Sequence, residues 1–89
     1  MEELKKKMEA YDRCKAAIKA ATEDMMELIQ VTFPVGTYVE VRLGRSVFEA
    51  KITGHSQNWW HEADKIIGTN LNTGISRKFN PRDIQRLLG

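Results

Sequence analysis

The side chains best equipped for chemistry in this chain gather in one short segment that carries His55, His61, Glu62 and Asp64. Two imidazoles and two carboxylates are the makings of a divalent-metal site or of an acid–base pair. Their spacing argues against both. The histidines stand six residues apart with the acids close behind, which is not a zinc-ligand pattern, and a polar loop does not fix ligand geometry without further anchors. The single cysteine, Cys14, falls inside a helical apolar stripe and reads as a small packing residue rather than a nucleophile. No phosphate-cradling glycine loop or dinucleotide motif occurs. The expectation is a non-enzymatic protein with no metal site and no cofactor.

The same segment offers a second kind of chemistry. Adjacent Trp59 and Trp60, taken as extended backbone, point to opposite sides, so at most one enters a core. One ring could plug the end of a barrel while the other covers the helix; alternatively, one is left as a stacking surface for a base, a nucleotide or a partner's side chain. In Ile75-Ser76-Arg77-Lys78-Phe79, alternation sets Arg77 on the same face as Ile75 and Phe79. Either a bulge intervenes, or that guanidinium meets an anionic ligand or another subunit. Trp59, Trp60, Arg77, Lys78, His61 and Arg45 therefore form the candidate ligand-binding set. The ligand they suit is anionic and base-containing: a small nucleotide held by a sequestering protein, or single-stranded nucleic acid. Solubilising surface charge is the plainer alternative for the basic members.

The elements that must position these residues fall into two regimes. All six glycines and both prolines lie from Pro34 onward. Before them, Leu4, Tyr11, Ile18 and Met25 recur every seven residues, with Cys14, Ala21 and Leu28 three places after the last three. That is a helical stripe. Glu2 with Lys6, Glu3 with Lys7 and Glu9 with Arg13 add acid-before-base pairs one turn apart. The pattern predicts a helix from Glu3 to Gln30. About 27 residues at ~1.5 Å each span roughly 40 Å, whereas a compact body of the remaining chain is about 25 Å across. The helix must therefore overhang and find a partner, or break into a hairpin in the segment Ala20-Ala21-Thr22-Glu23-Asp24. Leu4, Tyr11, Ile18, Met25 and Leu28 are the candidate oligomerisation residues, in a short bundle rather than an extended coiled coil.

After Pro34 the period becomes two. Val39, Val41 and Leu43 alternate with Tyr38, Glu40 and Arg42, and Phe48, Ala50 and Ile52 alternate with Glu49 and Lys51; the two runs read as a hairpin. A polar loop at Gly54–Asp64 follows. Lys65–Leu71 and Ile75–Phe79 flank Asn72-Thr73-Gly74, whose glycine suits a left-handed turn position. Asn80–Asp83 reads as a 3₁₀ turn before a last strand at Ile84–Leu87. Five short strands in so small a unit predict closure into a barrel, since only closure protects the edges.

The runs Val35-Gly36-Thr37-Tyr38-Val39-Glu40-Val41, Phe48-Glu49-Ala50-Lys51-Ile52-Thr53-Gly54, Asn72-Thr73-Gly74 and Phe79-Asn80-Pro81-Arg82-Asp83-Ile84 resemble SH3-like small barrels of the Tudor and KOW type. The resemblance covers only the C-terminal part of the chain and implies a five-stranded SH3-like β-barrel there (33–89); with the long N-terminal α-helix read from periodicity (1–32), an oligomerisation segment, the expected fold class is α+β. It implies no function, because such barrels bind peptides, nucleic acids and small ligands alike. The loop-tip aromatics of a methyl-lysine cage are not in place here.

The totals set the remaining bounds. Eighty-nine residues with 42% apolar and 29% charged side chains make one small domain. The net charge of +2 averages a slightly acidic helix, six bases against seven acids up to Leu28, and a basic remainder, eight bases against five acids from Val31. That excess is modest beside dedicated duplex-DNA binders. One cysteine allows no internal disulfide, no run approaches the roughly 18–20 apolar residues of a membrane span, and the charged start does not read as a signal peptide. A cytoplasmic homo-oligomer without membrane contact is the expectation. The competing class is a protein-interaction adaptor or inhibitor acting on a host protein, similar to the small accessory proteins of phages and mobile elements.

Overall fold

The computed structural model describes residues 2–89; Met1, the first residue of the 1–32 helical segment, lies outside them. The fold is α+β: α1 (Glu2–Thr32), β1 (Tyr38–Leu43), β2 (Ser46–His55), β3 (Ile66–Asn70), β4 (Ser76–Phe79), a 3₁₀ turn (Pro81–Asp83) and β5 (Ile84–Leu87). The antiparallel sheet has the order β4-β3-β2-β1-β5.

The helix is 31 residues long and continuous, without the break considered near Thr22. Ala20 and Ala21 favour helix, and Met25 leaves Thr22 without a capping box. Two acids, Glu2 and Glu3, sit in the first turn, where the helix dipole favours them, while the last turn has no base. Only Met26 and Ile29 are buried. The molecule extends 60 Å along its longest axis against 24 and 18 Å across, so the helix overhangs as its length requires.

The strands alternate as their sequences dictate. Val39 and Val41 of β1, Ala50 and Ile52 of β2, Ile66 of β3 and Phe79 of β4 are all fully buried on the inner face, with Ile29 closing over them. Phe33, Leu43, Phe48 and Ile84 rim this core. Gly68 matters here because it has no side chain: a Cβ would stand 2.8 Å from Phe79 Cε1, so the phenyl ring lies directly on the β3 backbone. Gly74 takes φ +72° in the β3–β4 turn, and the Asn70 carboxamide oxygen accepts from the Asn72 and Thr73 N–H groups within it.

The ladder does not close. β4 and β5 remain the two edges, which corrects the barrel expected from strand number. The 3₁₀ turn joins these edges instead, with the Asp83 carboxylate accepting from the Asn80 N–H at 2.9 Å and the Asp83 N–H donating to the Asn80 carbonyl at 2.9 Å. Each edge strand is only four residues long, short enough to need no barrel to protect it. β2 also outruns its expected end. A register shift between Ile52 and Gly54 opposite β3 carries the strand on to His55, so the expected loop loses its first two residues.

Candidate functional site

That bulge decides what His55 does. Strict alternation from Ile52 would turn His55 outward, but the extra residue sets it opposite buried Ile66 on the inner face. There its Nε2 lies 2.6 Å from the Phe33 carbonyl. A carbonyl only accepts, so Nε2 carries the proton and donates. The imidazole thus ties the end of α1 to the sheet. It is a fastening rather than a metal ligand, and among the described residues no three His, Cys, Asp or Glu side chains gather where a metal ion could be held.

The loop beyond His55 is folded on itself. The Ser56 N–H donates to the Lys65 carbonyl at 3.0 Å, the His61 and Glu62 N–H groups both donate to the Asn58 carbonyl, and buried Ser56 Oγ accepts from the Asn58 N–H at 3.1 Å. The tryptophans therefore sit in a tight turn, not in extended backbone. Their rings meet edge to face, with centroids 5.8 Å apart and planes at 83°. Trp59 is half-buried against the helix, where the Lys19 ammonium stands 5.7 Å from its ring centre. Trp60 is 67% exposed.

The turn and the helix together form an apolar groove of about 270 Å³, lined by Tyr11, Cys14, Lys15 and Ile18 on one side and by Trp59 and Trp60 on the other. From this groove outward the helix has no neighbouring element among the described residues, yet its apolar stripe continues. Leu4, Met8, Tyr11 and Ile18 are 62, 51, 58 and 55% exposed. Met25 and Leu28 are likewise exposed on the flank beside buried Met26 and Ile29.

The other residues singled out by sequence do not converge on the tryptophans. His61 is exposed beside Trp60. The Lys78 ammonium is 2.8 Å from Glu62 Oε2, and this hydrogen bond with its charge holds the Glu62 carboxyl below the ordinary range. Successive residues of β4 face opposite ways, so Arg77 turns inward while Lys78 turns outward. Arg77 pairs in unbroken register with Gly68. No bulge re-aims it; Arg77 is exposed and lines a recess of about 320 Å³ with Ser46, Val47, Phe48, Asn70 and Thr73. Arg45 lies in the tight β1–β2 turn between paired Leu43 and Ser46, at the end of the sheet away from the tryptophan turn. Sequence reasoning missed His55 as the helix fastening, because only the bulge brings it inward. Met8, which the sequence sets one place round from the heptad stripe, and Lys15 were absent from the candidate set, although their positions beside the stripe were the available signal.

Compared with known protein families, with characterised proteins and with solved structures, the chain matches none.

Proposed function

We propose that the chain is a non-enzymatic protein-interaction module: a small sheet carries a helix whose free apolar face, together with Trp60, docks against another amphipathic helix. One observation carries the reading. The stripe that buries Met26 and Ile29 on the sheet runs on through Ile18, Tyr11, Met8 and Leu4, all of them exposed, with only the tryptophan turn beside Ile18 and Tyr11, and contiguous exposed apolar surface of this kind marks an interaction site. Helices in proteins draw most of their stability from packing of an amphipathic face, so a partner also supports the fold of the overhang. The strand order and the 3₁₀ turn before β5 support kinship of the sheet with SH3-like modules.

The test is a titration of the full chain with an amphipathic helical peptide whose flanks are acidic, matching the lysines of the overhang. Trp60 emission is expected to shift to the blue, and amides from Leu4 to Ile18 to become protected from hydrogen exchange. A permuted peptide of the same composition, without the stripe, is expected to do neither. If no helical peptide moves emission or exchange, the reading fails. A second reading, a base-containing anion stacked on Trp60, is supported by that ring's exposure beside His61; quenching of emission by nucleotides or oligonucleotides that weakens with salt would favour it.

A further inference from the structure

We infer that the helix seated on this face is that of a second copy of the chain, running antiparallel. The inference rests on the docking reading above and names its occupant from charge. Between Glu2 and Lys19 the helix carries six bases and four acids; between Ala20 and Thr32 it carries three acids and no base. The helix is thus positive along its free half and negative along the half that meets the sheet. Lys5 and Lys6 make no ion pair among the described residues, and neither do Asp24 and Glu27. A parallel pair would set lysines on lysines and acids on acids. An antiparallel pair brings Lys5, Lys6 and Lys7 beside the partner's acidic half, where the last turn has no base of its own to answer the helix dipole.

The same arrangement satisfies the apolar stripe. With the two-fold axis between Cys14 and Ile18, Leu4 of each copy meets the turn of Met25 and Leu28 on the other, and Tyr11 meets Ala21. Large residues then oppose small ones near the axis, as interdigitated packing requires. The groove of Tyr11, Cys14, Ile18 and Trp60 lies at that axis, so each Trp60 flanks the paired helices. The contact is short and near the lower limit of specific interfaces, so the dimer is expected to form at micromolar concentration.

Native mass spectrometry and sedimentation on the full chain, from low to high micromolar, test the pairing. The expected species has twice the 10.2 kDa chain mass. Lys5→Glu with Lys6→Glu is expected to weaken the dimer about tenfold or more, and adding Asp24→Lys with Glu27→Lys to restore it. Orientation is read in a Cys14→Ala background. Mild oxidation is expected to link a Leu4→Cys chain to a Leu28→Cys chain, and not to link Leu4→Cys chains to each other; circular dichroism checks that each variant keeps its helix. A monomer at high micromolar concentration overturns the inference even if helical peptides still dock, and then the partner is another protein. Linkage of Leu4→Cys to itself overturns the antiparallel order.

Discussion

Replacing Ile29 by alanine should loosen the helix from the sheet, and the size of the effect follows from the side chain's surroundings. Ile29 is 8% exposed and sits in one cluster with Val39, Val41, Ala50, Ile52, Ile66 and Phe79. The substitution removes three buried carbons, or roughly 2.5 kcal/mol at about 0.8 kcal/mol each. A full cavity penalty is not added, because the site borders an open groove of about 530 Å³ shared with Met25, Asn80 and Pro81, into which water and neighbouring side chains can move. The total is therefore about 2.5–3 kcal/mol, within the lower part of the range for core truncations. For a chain of this size that lowers the melting midpoint by roughly 10–20 °C. Val31→Ala, two residues on and at a site 73% exposed, is the matched control and should change stability by less than about 0.5 kcal/mol. The assay is urea and thermal unfolding at a concentration low enough to exclude self-association, followed by circular dichroism and by Trp59 emission, since Trp59 lies on the helix. If the two variants unfold alike, the helix is not held by this contact and the account of its anchoring is wrong.

Four further outcomes are expected. Gly68→Ala should cost about 1–3 kcal/mol, because Phe79 Cε1 stands 2.8 Å from the new Cβ and a fully buried ring has little room to yield; combination with Phe79→Leu should cost less than the two changes summed, and strict additivity in a double-mutant cycle would refute the clash. His55→Ala removes the donor to Phe33 O and should cost about 1 kcal/mol, with faster hydrogen exchange at the end of α1 but not in β1 and β2. The Glu62 carboxyl is held low by Lys78, so its contribution is present above the ordinary carboxyl value and is lost as pH falls through the depressed one; the stability difference between wild type and Glu62→Gln should be constant near neutral pH and shrink only in that acidic window, and a difference that changes with pH near neutrality would contradict the assignment. Trp60→Ala should leave the melting midpoint within a few degrees, since the ring is 67% exposed, while abolishing the blue shift on helix docking.

Most of the fold was legible because local patterns and tertiary packing agree in this chain. Val39, Val41, Ala50 and Ile52 were assigned to one face by alternation alone, and all are buried. The 3₁₀ turn was visible in Asn80-Pro81, and the overhang in a ratio of lengths. What stayed hidden depends on register between strands, which no local pattern encodes. The bulge between Ile52 and Gly54 reverses the face of every residue after it, turning His55 from a loop group into the clasp on Phe33. Closure of the sheet failed for a related reason: strand count suggests a barrel, but whether β4 meets β5 depends on strand length and tilt. The candidate site divided likewise. Arg77 and Lys78 are adjacent in sequence and point to opposite faces, and Glu62, which answers the Lys78 charge, lies in a loop whose fold is defined by hydrogen bonds among Ser56, Asn58, Glu62 and Lys65.

The unequal anchoring of the two halves of α1 points to how the overhang behaves. Its sheet-bound half has Met26 and Ile29 buried, the His55 hydrogen bond to Phe33 and Trp59 beside Met26 and Gln30. Its free half has side-chain pairs such as Lys7 with Glu3, 3.9 Å apart and exposed, each contributing at most a few tenths of a kcal/mol. Helix propensity and such pairs leave the first turns frayed when unpartnered, because cooperative propagation from the anchored end weakens with distance. Amide exchange should therefore slow in steps along the helix, fastest before Tyr11 and slowest near Ile29. Raising the chain concentration should slow the fast segment toward the slow one while leaving the sheet unchanged. A uniform rate along α1 at low concentration would mean that the free half needs no partner, and its exposed stripe would then lose its role in folding.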